Sequence, residues 1–225
     1  MKKIDFDGFA HAYDDLLREQ TAFFTEDETY FARYKIDIVR RLARSEPRRV
    51  LEFGCGTGRN IRFLRDAFPR SEVMGSDVSQ KSLDLARSSN PGVHFWKEGD
   101  DAATRSGFDL IFIAGVFHHV PPSERNAVAA CVAERLNAGG TVVVFEHNPY
   151  NPVTRRIVSR CPYDEGVILL PPSELRNYLT GQHLVVHRRE YALFFPPGWK
   201  KLLPLERLLA HVPLGGQYWV AATRP

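Results

Sequence analysis

Short apolar runs alternate with amphipathic stretches through the central part of the chain. The apolar runs have the length and composition of buried strands and cover residues 50–53, 72–76, 93–96, 108–116 and 141–145. The stretches between them space their apolar residues as helices do and cover residues 60–68, 79–88 and 123–136. Strands that alternate with helices form a mostly parallel sheet, so the pattern predicts a doubly wound α/β fold.

The first 45 residues are predicted to be helical. Aromatic side chains recur at three- and four-residue spacing in Phe6, Phe9 and Tyr13, and residues 34–42 form another amphipathic stretch. A Ser-Glu-Pro break over residues 45–47 separates this helical region from the first strand.

The regular alternation stops after Glu146. Residues 147–172 are rich in Pro and Asn and carry no clear strand or helix pattern. Beyond them the sequence predicts a helix over residues 173–179 and two strands over residues 184–195 and 217–223.

A glycine-rich turn follows the first predicted strand. Gly54, Gly56 and Gly58 come after an apolar run that carries one acid, Glu52. Glycine is needed where the backbone takes a positive φ or lets a ligand approach closely, and the next helix offers unpaired N–H groups. The spacing G-x-G-x-G differs from the G-x-G-x-x-G of dinucleotide sites. A carboxylate two residues before the first glycine disfavours pyrophosphate and favours a ligand with a cationic group.

An acid or a small side chain stands at the end of each following strand. Asp77 comes about twenty residues after the glycine turn, where an acid can accept both hydroxyls of a ribose. Asp100 follows the third strand, and Ala114 ends the fourth strand shortly before His118. Ligands of open α/β sheets bind outside the carboxyl ends of the strands, so these residues are expected to meet at one site.

The glycine turn and the strand ends together resemble the motifs of class I S-adenosylmethionine-dependent methyltransferases of the small-molecule type. The resemblance implies a Rossmann-like seven-stranded mostly parallel sheet, with helices on both faces and an antiparallel C-terminal edge strand. It also implies S-adenosyl-L-methionine as cofactor and S-adenosyl-L-homocysteine as product. The cofactor-binding residues that it implies are Glu52, Gly54, Gly56, Gly58, Asp77, Asp100, Ala114 and His118.

The N-terminal segment carries a further resemblance. Residues 6–15, FDGFAHAYDD, are similar to the opening of many small-molecule methyltransferases, in which the tyrosine at the position of Tyr13 lies over the cofactor. The resemblance therefore implies that Tyr13 contacts both cofactor and acceptor. The alternative is a core aromatic on an amphipathic helix, and the two roles are compatible.

Candidate proton acceptors follow the fourth and fifth strands. His118 and His119 come after the fourth strand, and Glu146 and His147 come after the fifth. A hydroxyl acceptor must lose its proton during methyl transfer, and histidine titrates in a suitable range. His119 is the favoured base, because only one of two adjacent histidines is expected to face the pocket. Glu146 is expected to orient a histidine or to accept the substrate proton.

The segment after Glu146 is expected to select the methyl acceptor. Asn148 can hold a tight turn, Arg155 can meet a phosphate or carboxylate, and Tyr163 can line the pocket. A solvated helix face is the alternative interpretation of the arginines in this segment. The sequence does not identify the acceptor.

Composition and charge limit the other classes of function. The chain of 225 residues suits one α/β domain, and its net charge of +3 is too small to indicate a nucleic-acid surface. No apolar run reaches the ~18 residues of a membrane span, and the N-terminus has no signal-peptide core. Three scattered cysteines, Cys55, Cys131 and Cys161, favour a reducing compartment over a disulfide framework. We therefore expect a cytoplasmic protein, and we predict no metal site.

The predicted activity is S-adenosylmethionine-dependent methylation of a small-molecule acceptor, with O-methylation by a histidine base favoured. The alternatives are N- or C-methylation of a metabolite, or cofactor binding without catalysis. A nicotinamide-dependent reductase is disfavoured by the glycine spacing and by the lack of a Tyr-x-x-x-Lys pair. A homodimer is an open alternative, because the apolar stretch over residues 194–216 would cover a second copy, a lipid-like substrate or the sheet edge.

The sequence predicts one domain over residues 1–225 with four parts. These are an N-terminal helical cap, a cofactor-binding half, an acceptor-recognition insertion and a pair of C-terminal strands, over residues 1–45, 46–146, 147–180 and 181–225.

Overall fold

A computed structural model of the chain describes residue 8, residues 24–100 and residues 106–225. Within these residues seven strands form one sheet. They are β1 (Arg49–Phe53), β2 (Glu72–Asp77), β3 (His94–Lys97), β4 (Phe108–Ala114), β5 (Leu136–His147), β6 (Val185–Ala192) and β7 (Gln217–Thr223). The prediction for Tyr13 concerns a residue outside the described part of the chain.

The helices of the described residues precede or connect these strands. They are α1 (Tyr30–Leu42), α2 (Ile61–Ala67), α3 (Gln80–Ser89), α4 (Arg125–Arg135), α5 (Pro152–Val158), α6 (Pro172–Gly181) and α7 (Glu206–Leu209). Short 3-10 turns lie at Pro162–Asp164 and Leu203–Leu205. Within residue 8, residues 24–100 and residues 106–225, no helix combines the length and the apolar character that a membrane crossing requires.

The strand order is β3-β2-β1-β4-β5-β7-β6. The pairs β1·β2, β1·β4, β2·β3 and β4·β5 are parallel, whereas β7 is antiparallel to both β5 and β6. The predicted mostly parallel seven-stranded sheet with antiparallel C-terminal pairing is therefore confirmed. The edge position belongs to β6, and β7 lies one strand inside it.

Two apolar clusters cover the two faces of the sheet. Successive strand residues point to opposite faces, and the central strands divide in this way. One cluster takes Ile111 and Ile113 of β4 together with apolar residues of α4 and α6, and the other takes Leu110 and Phe112 together with apolar residues of α1, α2 and α3. Helices therefore cover both faces, as predicted, and the polar strand ends meet where β1, β2, β4 and β5 finish.

The edge strand β6 is shorter than predicted. Its last residue is Ala192, whereas the sequence pattern extended the strand to Phe195. Leu193 has a φ of 62°, in the left-handed region that bulky side chains rarely adopt, and this conformation ends the extended backbone.

Candidate active site

The glycine turn lies at the carboxyl end of β1 and leaves an opening at its middle glycine. Gly54, Gly56 and Gly58 have φ values of 71°, 51° and 77°. A Cβ on Gly54 would overlap the side chain of Val116, and one on Gly58 would lie 2.7 Å from Asn90 Nδ2. A Cβ on Gly56 would meet nothing within 4 Å. Two of the glycines therefore permit close packing, and the third faces open space that a ligand could fill.

Asp77, the last residue of β2, supports this turn. Its Oδ2 accepts the Gly56 N–H at 2.8 Å, and its Oδ1 accepts the Ser79 N–H at 2.9 Å. Burial raises the pKa of Asp77, and the backbone donors act against that shift. Because each carboxylate oxygen has a second lone pair, the group can hold the turn and still accept hydroxyl hydrogens from a ligand.

Glu52 is buried below the turn, with one oxygen bonded and the other without a partner. Asn60 Nδ2 donates to Glu52 Oε1 at 2.6 Å, whereas Oε2 has no hydrogen-bond partner among the described residues. Burial raises the pKa of Glu52 to about 8, and Lys35 of α1, whose charge acts against that shift, has its own pKa lowered by burial to about 8. A buried carboxylate oxygen without a donor fits a ligand that brings an ammonium group.

The other predicted cofactor residues lie at the ends of the next two strands in sequence. Asp100 is exposed after β3, directly before the undescribed residues 101–105. Ala114 is half-buried at the end of β4, and the N–H of the next residue, Gly115, donates to Phe145 O at 2.9 Å. The end of β4 is thus fastened to β5 where the two strands separate.

Glu146, near the end of β5, holds the loop that follows β4. Its Oε1 accepts the N–H groups of Val116 and Phe117 at 3.0 and 2.7 Å, and its Oε2 lies 2.6 Å from His118 Nδ1. The carboxylate is 1% exposed. Glu146 therefore fixes both the loop backbone and the orientation of His118.

Both adjacent histidines face the same carboxylate. Asp164 Oδ1 lies 3.6 Å from His118 Nε2 and 3.4 Å from His119 Nε2, and the two ring centroids are 4.1 Å apart. The sequence leads us to expect that only one of them faces the pocket, and in the structure the Nε2 atoms of both lie near Asp164. They lie in a turn closed by the His119 N–H and Val116 O, in which successive side chains do not alternate as they do in a strand.

The three histidines at this place differ in charge. Burial acts to lower the pKa of His118, but Glu146 and Asp164 outweigh it and raise the pKa to about 9. Burial lowers the pKa of His119 well below its usual value and that of His147 to about 4, and the charge of His118 adds to both shifts. Near neutral pH, His118 is therefore charged, whereas His119 and His147 are neutral and have a nitrogen able to accept a proton.

Residues that follow β5 border the histidines. The ring of Tyr163 meets that of His119 edge-on, with centroids 5.0 Å apart, and His147 lies 4.9 Å from His118 by the same measure. Arg155 and Asp164 both line an open cleft between α5 and residues 161–169. Tyr163 thus contacts His119, and Arg155 borders the same cleft as Asp164; their contact with an acceptor stays a prediction.

The side chain of Asn148 is buried, and both its amide nitrogen and its amide oxygen form hydrogen bonds with backbone groups. Its Nδ2 donates to Gly215 O at 2.7 Å and to Pro213 O at 3.1 Å, and its Oδ1 accepts the Tyr150 N–H at 3.0 Å. This arrangement fastens the start of the segment to the loop before β7. The side chain serves the turn that the sequence predicts.

Sequence reasoning missed two residues of this region. Asn60, which holds Glu52, lies directly before α2, and a polar residue at the helix start after the glycine turn was the available signal. Lys35 lies on α1 with no local pattern that marks it, and only the packing of α1 brings it near Glu52 and Glu146.

Comparison with known proteins finds similarity to methyltransferases over part of the sequence. Residues 51–142 match the family model described as a methyltransferase domain. The chain is 33% identical over 92 residues to trans-aconitate 2-methyltransferase of Acidovorax sp. (strain JS42), which covers 40% of this chain and 36% of that protein. It is 31% identical over 140 residues to an uncharacterized methyltransferase of Bacillus thuringiensis (strain Al Hakam), covering 61% and 63%. The chain spans less than two thirds of the length of these curated relatives.

Solved structures share the fold over nearly the whole chain. A TehB-like methyltransferase from Corynebacterium glutamicum has a TM-score of 0.67 at 18% identity, covering 97% of this chain and 99% of that one. Magnesium protoporphyrin IX methyltransferase from Synechocystis, solved with bound S-adenosyl-L-homocysteine, has a TM-score of 0.65 at 17% identity, covering 97% of each. The partner of the Haloferax volcanii Trm112 methyltransferase activator has a TM-score of 0.69 at 15% identity, covering 100% of each. Residues 51–142 therefore resemble a methyltransferase domain, and the chain has the Rossmann-like fold that these solved methyltransferase structures share.

Proposed function

We propose that the chain transfers a methyl group from S-adenosyl-L-methionine to a small-molecule acceptor. The observation that carries the proposal is the unpaired Glu52 Oε2, buried below a glycine turn that is open at Gly56 and supported by Asp77. Glu52 would hold the ammonium group of the methionine part, and Asp77 would accept the ribose hydroxyls. When bound, the cofactor supplies an electrophilic methyl group on its sulfonium.

The remaining cofactor contacts belong to the same proposal. The backbone of the glycine turn would lie along the cofactor, Asp100 would meet the adenine amino group, and the end of β4 would border the methionine part. Besides Glu52, Gly56 and Asp77, the residues that we propose contact the cofactor are Gly54, Gly58, Asp100, Ala114 and His118, together with Tyr13, which lies outside the described residues.

For the acceptor we propose a hydroxyl whose proton passes to a neutral histidine. Burial keeps the pKa values of His119 and His147 low, so both are neutral near pH 7 and have a nitrogen that can accept a proton. Glu146 has both oxygens engaged and is assigned a positioning role. The chain's contribution to the reaction is to hold the hydroxyl in line with the methyl group and to remove its proton.

The cleft between α5 and residues 161–169 is the proposed acceptor site. Arg155 offers it a planar cation for a carboxylate or phosphate on the acceptor, and Tyr163, which lies edge-on to His119, would offer a flat apolar surface between the cleft and the histidines. Asn148, by contrast, is proposed to shape the segment and not to touch the acceptor, since its polar atoms are already bonded.

The organisation of the chain follows the same scheme. Residues 46–146 would bind the cofactor, residues 147–180 would recognise the acceptor, and residues 1–45 and 181–225 would complete one domain. The cysteines of the described residues are free, which supports a reducing, cytoplasmic location. We propose no nucleic-acid partner, and a second copy of the chain stays a proposal for the apolar stretch over residues 194–216.

Calorimetric titration with S-adenosyl-L-homocysteine and with NAD tests the proposal. We expect S-adenosyl-L-homocysteine to bind and NAD not to bind. Asp77→Ala should abolish the binding of S-adenosyl-L-homocysteine. Glu72→Ala is the matched control, because Glu72 begins the same strand at its opposite end and is exposed. Binding of NAD alone, or equal affinity in Asp77→Ala and Glu72→Ala, would show that the cofactor or its site has been assigned wrongly. Proteins that bind the product are then assayed for methyl transfer to a panel of hydroxyl, amine and carboxylate acceptors.

A further inference from the structure

Two imidazole nitrogens and a carboxylate oxygen converge beside the proposed acceptor cleft. His118, His119 and Asp164 each present one ligand atom, and all three atoms lie within 4.8 Å of one another. Asp164 Oδ1 is 3.6 Å from His118 Nε2 and 3.4 Å from His119 Nε2. In the part of the chain that the structure describes, no other three His, Cys, Asp or Glu side chains form such a group. Small movements of the side chains would bring the three atoms to the ~2.0–2.2 Å at which zinc is bound.

Glu146 fixes the first of these ligands from behind. It lies 2.6 Å from His118 Nδ1, so this nitrogen donates its hydrogen to the carboxylate, and Nε2, which faces Asp164, would bind an ion after giving up its own hydrogen. Histidines that bind metals almost always donate their other ring N–H to a carboxylate, carbonyl or water, which sets the tautomer and the ring orientation. Glu146 is itself held by the N–H groups of Val116 and Phe117.

The donor set indicates the class of ion. Two imidazole nitrogens and one carboxylate oxygen, with positions left for other ligands, suit a divalent transition metal such as Zn²⁺, Fe²⁺ or Co²⁺ better than Ca²⁺ or Mg²⁺, which prefer oxygen. The ligands stand on two separate segments, the turn after β4 and the 3-10 turn at Pro162–Asp164. An ion between them would also tie the acceptor segment to the sheet.

One of the three ligands borders the cleft, whereas the side chains of His118 and His119 are 2% and 9% exposed. Asp164 lines the open cleft between α5 and residues 161–169, together with Arg155 and Glu165. A coordination position on the Asp164 side would therefore face the place where we propose that the acceptor binds. A closed structural site would have a fourth protein ligand instead.

We propose that His118, His119 and Asp164 bind a divalent transition-metal ion, which takes the acceptor oxygen as a further ligand. This inference rests on the proposed function. It assigns His147 as the base that takes the proton of the acceptor hydroxyl, because the Nε2 of His119 would be bound to the metal ion. The acceptor oxygen gives its proton to His147 and forms a bond to the methyl carbon. The bond between that carbon and sulfur breaks, and its electron pair stays on sulfur. Glu146 is the positioning residue.

The test is a metal titration of the untagged full chain after treatment with EDTA and removal of the chelator. Wild-type protein is expected to take up one Co²⁺ per chain with visible d–d absorption bands, and Zn²⁺ should displace the Co²⁺ and abolish them. Asp164→Asn and His119→Ala should each weaken Co²⁺ binding by a factor of ten or more. Glu165→Gln, which changes the neighbouring carboxylate, should bind as the wild type does. Glu146→Gln should bind ~10–100-fold more weakly or shift the bands.

Two results would overturn the inference. One is the absence of stoichiometric Co²⁺ binding to the wild-type protein. This result would be decisive even if a variant failed to fold. The other is equal Co²⁺ affinity in wild type, Asp164→Asn and His119→Ala, each verified as folded by circular dichroism. A parallel titration of the EDTA-treated protein with S-adenosyl-L-homocysteine separates the two proposals. If the protein binds S-adenosyl-L-homocysteine but does not bind Co²⁺, only the metal site is ruled out. If neither the metal-free nor the metal-loaded protein binds S-adenosyl-L-homocysteine, the proposed function is ruled out.

Discussion

Glu146 Oε2 lies 2.6 Å from His118 Nδ1, and both side chains are almost completely buried. The same carboxylate accepts two backbone N–H groups from the loop after β4. One side chain of β5 therefore determines the shape of a neighbouring strand's loop and the direction of its histidine. Stability and site geometry are coupled at this pair.

Glu146→Ala should lower the free energy of unfolding by about 3–5 kcal/mol, because it leaves a buried charged imidazole and two backbone N–H groups without their acceptor. Urea denaturation measures the change. A double-mutant cycle with His118→Ala is the control, since the double variant should lose less than the sum of the two single variants. Strictly additive losses would show that the pair contributes no coupling energy.

Gly56→Ala should abolish binding of S-adenosyl-L-homocysteine while costing only about 1–2 kcal/mol of stability for the left-handed backbone. Gly54→Ala should destabilise the protein more, because its Cβ also overlaps Val116. Gly139→Ala is the matched control for Gly56→Ala, since Gly139 has a φ of 77° and open space around it but lies in β5 away from the turn. Thermal denaturation and calorimetry measure the two effects. Retained affinity in Gly56→Ala would contradict a cofactor at this turn.

Affinity for S-adenosyl-L-methionine should rise with pH up to about 8. The pKa of Glu52 is raised to about 8 by burial, so the free protein carries a protonated carboxyl at lower pH. A bound ammonium group favours the carboxylate, so binding releases a proton, and the affinity gains at most about tenfold per pH unit. Calorimetry in two buffers of different ionisation enthalpy counts the protons released. Glu52→Gln should bind weakly and without this pH dependence; an unchanged pH dependence would assign the proton to another group.

His147→Asn should lower kcat by a factor of about 10²–10⁴, as expected for loss of a general base. Its affinity for S-adenosyl-L-homocysteine should stay the same. Steady-state kinetics with any acceptor that the panel identifies provides the measurement, and His183→Asn, in the loop before β6, is the control. If His147→Asn retains its kcat and His119→Ala loses it without a change in Co²⁺ binding, the base is His119.

The sequence was sufficient for the features that depend on local patterns. Strand and helix periodicity predicted the parallel sheet, and three glycines at G-x-G-x-G spacing predicted a turn with positive φ values. The directions of His118 and His119 could not be predicted in this way, because they depend on the backbone of a short turn. The proximity of Asp164 depends on how residues 148–169 pack against the sheet, and that of Lys35 depends on the placement of α1. Neither leaves a periodic signal in the sequence.

The position of β7 has a consequence for the order of assembly. In the described sheet β6 pairs only with β7, although β6 is synthesised first, and β7 must insert between β5 and β6. Until β7 emerges, the outer edge of β5 has unpaired backbone groups, which is a condition that favours association with other chains. The strand that carries Glu146 and His147 would thus be protected last, and a chaperone that covers this edge during synthesis would help the chain to reach its folded state.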